Sequence, residues 1–242
     1  MESLKVIARI RNDYESKFGV PRQSGLAEAV VSVIVFEPAY RAAEALRGIE
    51  EFTHLWLLWG FDRNDGAGWK PTVRPPRLGG NQRVGVFATR SPFRPNPIGL
   101  SCVRLLGVEK TGEGSVLKVA GADLVNGTPI YDLKPYIPYA DCRPEASGGF
   151  TDRAEKRRVR VEIPPELRRA PARLLAGLEA ALAEDPRPAY QEDPERVYAF
   201  EFGGWHVAFR VAEGVLRVTE LRPKGTIKTE ETEEAKNKDD GL

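Results

Sequence analysis

Between Gly66 and Val108 the chain carries Lys70, Arg74, Arg77, Arg83, Arg90, Arg94 and Arg104 and not one Asp or Glu. The whole chain has a formal net charge of +1, so this segment holds all of the excess positive charge and more. At its centre Pro92, Pro95 and Pro97 fix φ and remove three backbone donors. Such a stretch is neither a helix interior nor a central strand. It reads as an ordered loop that holds Arg90 and Arg94 in place and keeps Asn96 in one conformation between two prolines. Guanidinium groups on a stiff loop suit a phosphate or carboxylate ligand. A basic, solvated loop is the plainer alternative.

Three further clusters carry usable chemistry. In K-F-G-V-P-R-Q-S-G, residues 17–25, Gly19, Pro21 and Gly25 mark a structured loop. Arg22 and Gln23 follow a proline at its edge: Gln can read an amide or an adenine edge, and Arg an anion. The competing reading is a surface turn. In H-L-W-L-L-W-G-F-D-R, residues 54–63, a buried strand stops at Gly60 and delivers Asp62 and Arg63 to its end. Trp56 and Trp59 read as core side chains, and His54 as a hydrogen-bonded structural histidine. Residues 122–141 place Asp123, Asp132, Lys134, Tyr136, Tyr139 and Asp141 close together around an Asn126-Gly127 turn. Prolines 129, 135 and 138 argue against a regular element there, leaving a rigid polar loop as a site wall, or simply solvated charge. No G-x-G-x-x-G, P-loop, H-E-x-x-H or C-x-x-C is present, and Cys102 and Cys142 lack metal-like spacing, which favours a reduced, cytoplasmic protein with packing cysteines.

The elements that must position these loops are mostly strands. Residues 4–10, 30–36, 52–61, 83–88, 100–108, 115–120 and 158–163 are short runs rich in β-branched or aromatic residues. One helix is expected among them, at 40–46. Many short strands without βαβ alternation give a mainly β protein, a small antiparallel β-barrel. Near Pro164 the pattern changes. Residues 172–183 read as a helix with Leu174, Leu175, Leu178 and Leu182 on one face. Strands at 197–202, 206–211 and 215–221 follow, with hairpin turns at Gly203-Gly204 and Glu213-Gly214. The expected organisation is a barrel over 1–163, a C-terminal α+β domain (a helix plus a three-stranded meander) over 164–223, and a disordered, lysine- and glutamate-rich tail over 224–242. Hydrophobic content of 41% and charged content of 29% are those of a soluble globular chain, with no apolar run long enough for a membrane helix.

P-R-Q at residues 21–23, F-A-T-R-S-P-F-R-P-N-P-I-G-L-S at 87–101 and D-L-V-N-G-T-P-I-Y-D-L-K-P-Y at 123–136 together resemble the TsaA/TrmO family. The match spans about residues 4 to 142, and D-P-R-P-A-Y at 185–190 is similar to the family's bacterial C-terminal domain. Asn126 is a departure, where many members carry Asp. The resemblance implies a β-barrel methyltransferase that uses S-adenosylmethionine without a Rossmann domain. Its substrate would be N6-threonylcarbamoyladenosine beside the anticodon of tRNA, and it would act as a homodimer with the donor near the subunit interface, needing no metal. On this reading Pro21, Arg22, Gln23, Asp62, Arg63, Arg90, Leu100, Asp123, Leu124 and Val125 bind the donor. Arg22 or Arg90 pairs with its carboxylate, Gln23 reads adenine, and Asp62 or Asp123 faces the sulfonium or the ribose. Asp132, Lys134 and Tyr136 are the candidates for handling the acceptor proton. Arg74, Arg77, Arg83, Arg94 and Asn96 face the tRNA anticodon stem-loop, Arg94 meeting the threonyl carboxylate. A non-catalytic RNA-binding barrel, or a methyltransferase with another acceptor, are the rival readings.

Overall fold

The computed structural model describes residues 4–63, 68–75, 82–153, 158–188 and 193–225. Strands β1 (Ala8–Arg11), β2 (Val31–Phe36) and β3 (His54–Gly60) are followed by a two-stranded ribbon of β4 (Thr72–Val73) and β5 (Val84–Gly85). Next come β6 (Ile98–Thr111), β7 (Gly114–Ala120) and β8 (Pro129–Pro135). A closed antiparallel barrel forms in the order β1-β2-β7-β6-β3-β8. Alternation decides which side chains fill it. In β3, Leu55, Leu57 and Trp59 are buried while His54, Trp56 and Leu58 face out; in β6, Gly99, Ser101 and Val103 point in while Ile98 and Leu100 point out. The interior is completed by Ile10, Ile34, Leu117, Val119 and Ile130.

Two single-turn helices, α1 (Pro138–Asp141) and α2 (Phe150–Arg153), lead to β9 (Arg160–Glu162), α3 (Ala172–Ala183), β10 (Tyr198–Phe202), β11 (Trp205–Ala212) and β12 (Val215–Pro223). The leucine stripe does what its spacing requires. Leu174, Leu175, Leu178 and Leu182 are buried against Phe200, Phe209 and Leu216 of the second sheet. Each leucine withdrawn from water contributes about 1.5–3 kcal/mol. This second core also takes Tyr14, Ala27 and Val30, with Phe18 and Val20 packed on it, all from the excursion between β1 and β2. Tyr14 makes a β-bridge to Phe202.

The structure departs from the sequence expectations at several points. Residues 129–135 form β8, the strand that closes the barrel. Its prolines stand at its two ends, opposite Arg9 and Leu55, and leave the amides between them free for the ladder. The expected helix at 40–46 is instead two 3-10 turns, Pro38–Tyr40 and Ala43–Leu46, separated by Arg41 and Ala42, the latter at ψ 121° outside the helical region. Seven residues are too few to nucleate an α-helix without a packing face. Of the expected strand at 83–88 only β5 is extended, and Val86–Ala88 is a 3-10 turn. The strand expected at 158–163 adds in parallel to β12, so the meander is a four-stranded sheet, β10-β11-β12-β9. Lys224, expected in a loose tail, donates its amide to Gly204 and pairs with Glu15 at 2.8 Å; residues 226–242 lie outside the described residues. Trp56 faces out of the barrel, its Nε1 donating to Asp141 Oδ2 at 3.0 Å, whereas Trp59 is core.

Candidate active site

The C-terminal ends of β1 and β3 and the N-terminal ends of β6 and β8 lie at the same end of the barrel, because their neighbours are antiparallel. The segments attached there enclose a cavity of about 460 Å³. Its walls come from 17–23, 59–63, 89–100 and 123–128, the four clusters of the sequence. Trp59, Phe61, Leu100 and Val125 supply apolar surface, and Lys17, Arg22, Arg63, Arg90 and Arg94 outnumber Asp62 and Asp123. An apolar cleft with a few fixed charges is the usual form of a small-molecule site.

Hydrogen bonds fix each wall. Arg63 donates to the carbonyls of Glu15 at 3.0 Å and Asn126 at 2.7 Å, tying the 17–23 loop to the turn before β8, and Lys17 Nζ donates to the Arg63 carbonyl. Asn126 Oδ1 accepts the Asn12 amide at 3.2 Å, so its part is to hold this turn. Arg90 Nη1 donates to Gln23 Oε1, linking the basic loop to P-R-Q. Arg22 Nη2 donates at 3.0 Å to the carbonyl of Arg187. Arg187 is itself clamped to buried Asp185 by bonds of 2.8 Å from both Nε and Nη2. At the floor, Trp59 Nε1 donates to Ser101 Oγ at 2.9 Å, and Ser101 Oγ donates to Asp123 Oδ1 at 2.5 Å. Burial pushes the Asp123 carboxyl above the usual range, while the Ser101 hydroxyl and the charge of Arg90 pull the other way. Gly99 makes this floor possible: a Cβ there would lie 2.2 Å from Trp59 Cε2.

Of the residues expected to bind the donor, Pro21, Arg22, Gln23, Asp62, Arg63, Arg90, Leu100, Asp123 and Val125 all line the cavity. Leu124 does not: in the connection between β7 and β8 its side chain lies in the barrel core, where it is 1% exposed. Asp132, Lys134 and Tyr136 stand away from the cavity of their own chain. Asp132 and Lys134 project from the outer face of β8, paired to each other at 2.8 Å, and Tyr136 lies against Trp56 with ring centres 5.7 Å apart. Arg94 lines the cavity, but its guanidinium also holds the loop, donating to the carbonyls of Val86 at 3.2 Å and Thr89 at 2.7 Å. Arg74, Arg83 and Asn96 are exposed outside it, and Arg77 lies outside the described residues. The sequence reading missed Lys17, Val20, Trp59, Phe61, Thr89, Pro92, Ile98, Gly99 and Thr128 as wall residues. All of them sit inside the quoted motifs, and Trp59 and Phe61 flank the strand end expected to deliver Asp62.

The chain is similar to known proteins along most of its length. Residues 9–142 match the model of the tRNA-methyltransferase O N-terminal domain, and residues 150–224 match that of the TrmO C-terminal domain. A tRNA (adenine(37)-N6)-methyltransferase of Escherichia coli is 42% identical over 227 residues, covering 90% of this chain and 97% of the relative. The protein of that name from Eikenella corrodens is 49% identical over 170 residues, 68% of this chain and 93% of the relative. A crystal structure of TrmO from Pseudomonas aeruginosa superimposes with a TM-score of 0.77 at 34% identity, over 92% of this chain and 98% of that one.

Proposed function

The chain belongs to the tRNA-methyltransferase O family, and from that premise we propose that it transfers a methyl group from S-adenosylmethionine to N6 of adenine 37 in tRNA. The observation that carries the reading is the convergence of four sequence-distant segments on one cavity whose chemistry suits the donor. S-adenosylmethionine has a flat adenine, a hydroxylated ribose, a sulfonium and a zwitterionic amino-acid end. Trp59, Phe61 and Leu100 offer apolar surface for the ring, with the Gln23 side chain beside them for its edge. Arg22 or Arg90 suits the carboxylate, and Asp123 suits the sulfonium or the ribose hydroxyls. When bound, the donor supplies an activated methyl on a positively charged sulfur. The cavity walls would hold that donor in one orientation towards the acceptor nitrogen, and such alignment would lower the barrier by fixing the approach in advance.

The substrate is read more finely as N6-threonylcarbamoyladenosine. Its urea-like nitrogen is a poor nucleophile and must lose a proton during or before transfer. The candidates for that work, Asp132, Lys134 and Tyr136, flank an apolar stripe on the outer face of the barrel. There Trp56, Leu58 and Cys102 run towards Leu100 and Ile98, which are 50% and 37% exposed and lie at the cavity wall. The exposed apolar stripe supports a homodimer as the active unit, in which a second copy docked there would carry those three polar groups towards a cavity mouth. The acid-free segment lies beside the same mouth and provides the cationic surface for the anticodon loop. No helix is long and apolar enough to cross a membrane, and no group of three or more His, Cys, Asp or Glu assembles a metal site, among the described residues. We place the reaction in the cytoplasm, where its two substrates meet.

The test is methyl transfer from labelled S-adenosylmethionine to tRNA, followed by nucleoside mass spectrometry. The expected result is methylation at N6 of adenine 37, with threonylcarbamoylated tRNA preferred over the unmodified form. A chain that gives no heat with S-adenosylmethionine in calorimetry yet binds tRNA would instead be a non-catalytic RNA-binding barrel. Light scattering under assay conditions checks the dimer, which a fully active monomer would refute.

A further inference from the structure

Phe87 is 72% exposed, yet the turn that displays it is among the most firmly held parts of the basic segment. Its neighbour Val86 is 1% exposed and donates its amide to Pro71 at 3.0 Å. The Val86 carbonyl accepts from the Thr89 amide at 3.1 Å, the Thr89 hydroxyl at 2.8 Å and Arg94 Nη1 at 3.2 Å. The Arg94 guanidinium then lies over the Phe87 ring, 5.5 Å from its centre, and covers one of its faces. Thr89, Arg90 and Arg94, which follow Phe87 in the chain, line the donor cavity.

A single exposed apolar side chain is ordinary. A ring fixed in a pinned turn and backed by a cation that also lines the cavity is a ready-made surface for another flat group. Single-stranded RNA loops offer flat groups, and they are recognised by stacking bases on aromatic rings and guanidinium planes. Lys70, Arg83 and Arg90 belong to the same acid-free segment, so phosphates are attracted to the place where the ring waits. A protein partner is disfavoured, since a second copy meeting the first through this face would set like charges against each other.

Building on the function proposed above, we propose that Phe87 is a stacking platform for an unpaired nucleobase of the anticodon loop, at or next to the methylated adenosine. It would position the RNA without touching the donor.

Phe87→Leu keeps an apolar side chain and removes the aromatic face; Phe87→Trp keeps the face. With tRNA varied at saturating S-adenosylmethionine, Phe87→Leu is expected to raise KM for tRNA about tenfold, with kcat changed by less than about twofold. Phe87→Trp restores KM, and calorimetry gives unchanged donor affinity for both. A leucine variant whose KM for tRNA stays within about twofold of the parent overturns the platform, as does one that loses activity by falling apart into monomers in light scattering. If the parent transfers no methyl, the functional reading falls separately. The platform is then decided by fluorescence anisotropy of a labelled anticodon stem-loop: about tenfold weaker binding by Phe87→Leu supports it, and equal binding overturns it.

Discussion

Gly99→Ala should damage stability and donor binding together, through one displaced ring. The added Cβ would stand 2.2, 2.4 and 2.6 Å from three atoms of the Trp59 indole, far inside van der Waals contact. The Gly99 backbone lies outside the left-handed region, so alanine fits it and by itself would stabilise by about 0.4–1 kcal/mol. Against this, pushing a buried ring out of a packed floor costs about 1–3 kcal/mol. Losing the 2.9 Å bond from Trp59 to Ser101 costs about 0.5–1.5 kcal/mol more. The net destabilisation is centred near 2 kcal/mol, which for a chain of this size lowers Tm by roughly 4–8 °C. Trp59 and Gly99 both line the cavity, and Ser101 holds Asp123, so affinity for S-adenosylmethionine should fall in parallel. Scanning calorimetry and titration calorimetry read the two effects. Gly112→Ala is the control, since a Cβ there meets nothing within 4 Å. If Gly99→Ala matches the control in both Tm and donor affinity, the Trp59–Ser101–Asp123 floor does not have the role assigned to it.

Asp185→Asn should destabilise by about 1.5–3 kcal/mol, because it removes the carboxylate that both Nε and Nη2 of Arg187 contact at 2.8 Å where both side chains are nearly buried. Asparagine tolerates the left-handed backbone at φ 47°, so denaturant unfolding isolates the charge effect; donor affinity should drop as well, through Arg22. Asp123→Asn should remove a pH dependence. A carboxyl raised by burial favours folding most below its unfolded pKa of about 3.9 and loses that contribution as pH rises through the folded value. The difference in Tm between parent and variant should therefore move in the variant's favour as pH climbs above 4, and a difference that is flat with pH counts against burial outweighing the Ser101 hydroxyl and the Arg90 charge at Asp123. Arg90→Ala should weaken S-adenosylmethionine binding by about 1.5–3 kcal/mol in calorimetry, and unchanged affinity in a folded variant removes Arg90 from the site. Neutralising Arg74 and Arg83 together should weaken tRNA binding and flatten its salt dependence by roughly one unit of slope for each phosphate no longer neutralised, with donor affinity unchanged.

How far the sequence carried can be judged from particular residues. The helix at 172–183 was legible to the residue because its leucines repeat at helical spacing and nothing within it competes. The site was legible as four clusters, because prolines and glycines leave ordered loops few alternatives and those loops carried the polar groups. What periodicity cannot say is which side chains of a connection face the cavity. Leu124 and Asp123 are neighbours, yet one fills the barrel core and the other the site. Strand β8 was hidden by its prolines, because a local rule counts them without knowing that both fall at the ends of a ladder. The parallel pairing of β9 with β12 was hidden for a different reason: the two strands are more than fifty residues apart, and nothing local to either encodes the other.

The excursion between β1 and β2 has a consequence for the order in which the molecule is made. Phe18 and Val20 pack on the core of the second sheet, Phe18 against the rings of Phe200 and Phe209, and Gly19 passes so close to the Phe200 ring that a Cβ would stand 2.5 Å from it. A ribosome adding about 5–20 residues each second leaves those two side chains without their cover for roughly 10–40 s. Pro21, Arg22 and Gln23 belong to the same loop, so one wall of the cavity waits for the last strands to emerge. The barrel can close earlier, since all six of its strands precede residue 136. A nascent chain with a finished barrel therefore still lacks a finished pocket, and the pocket is complete only after the second sheet has emerged.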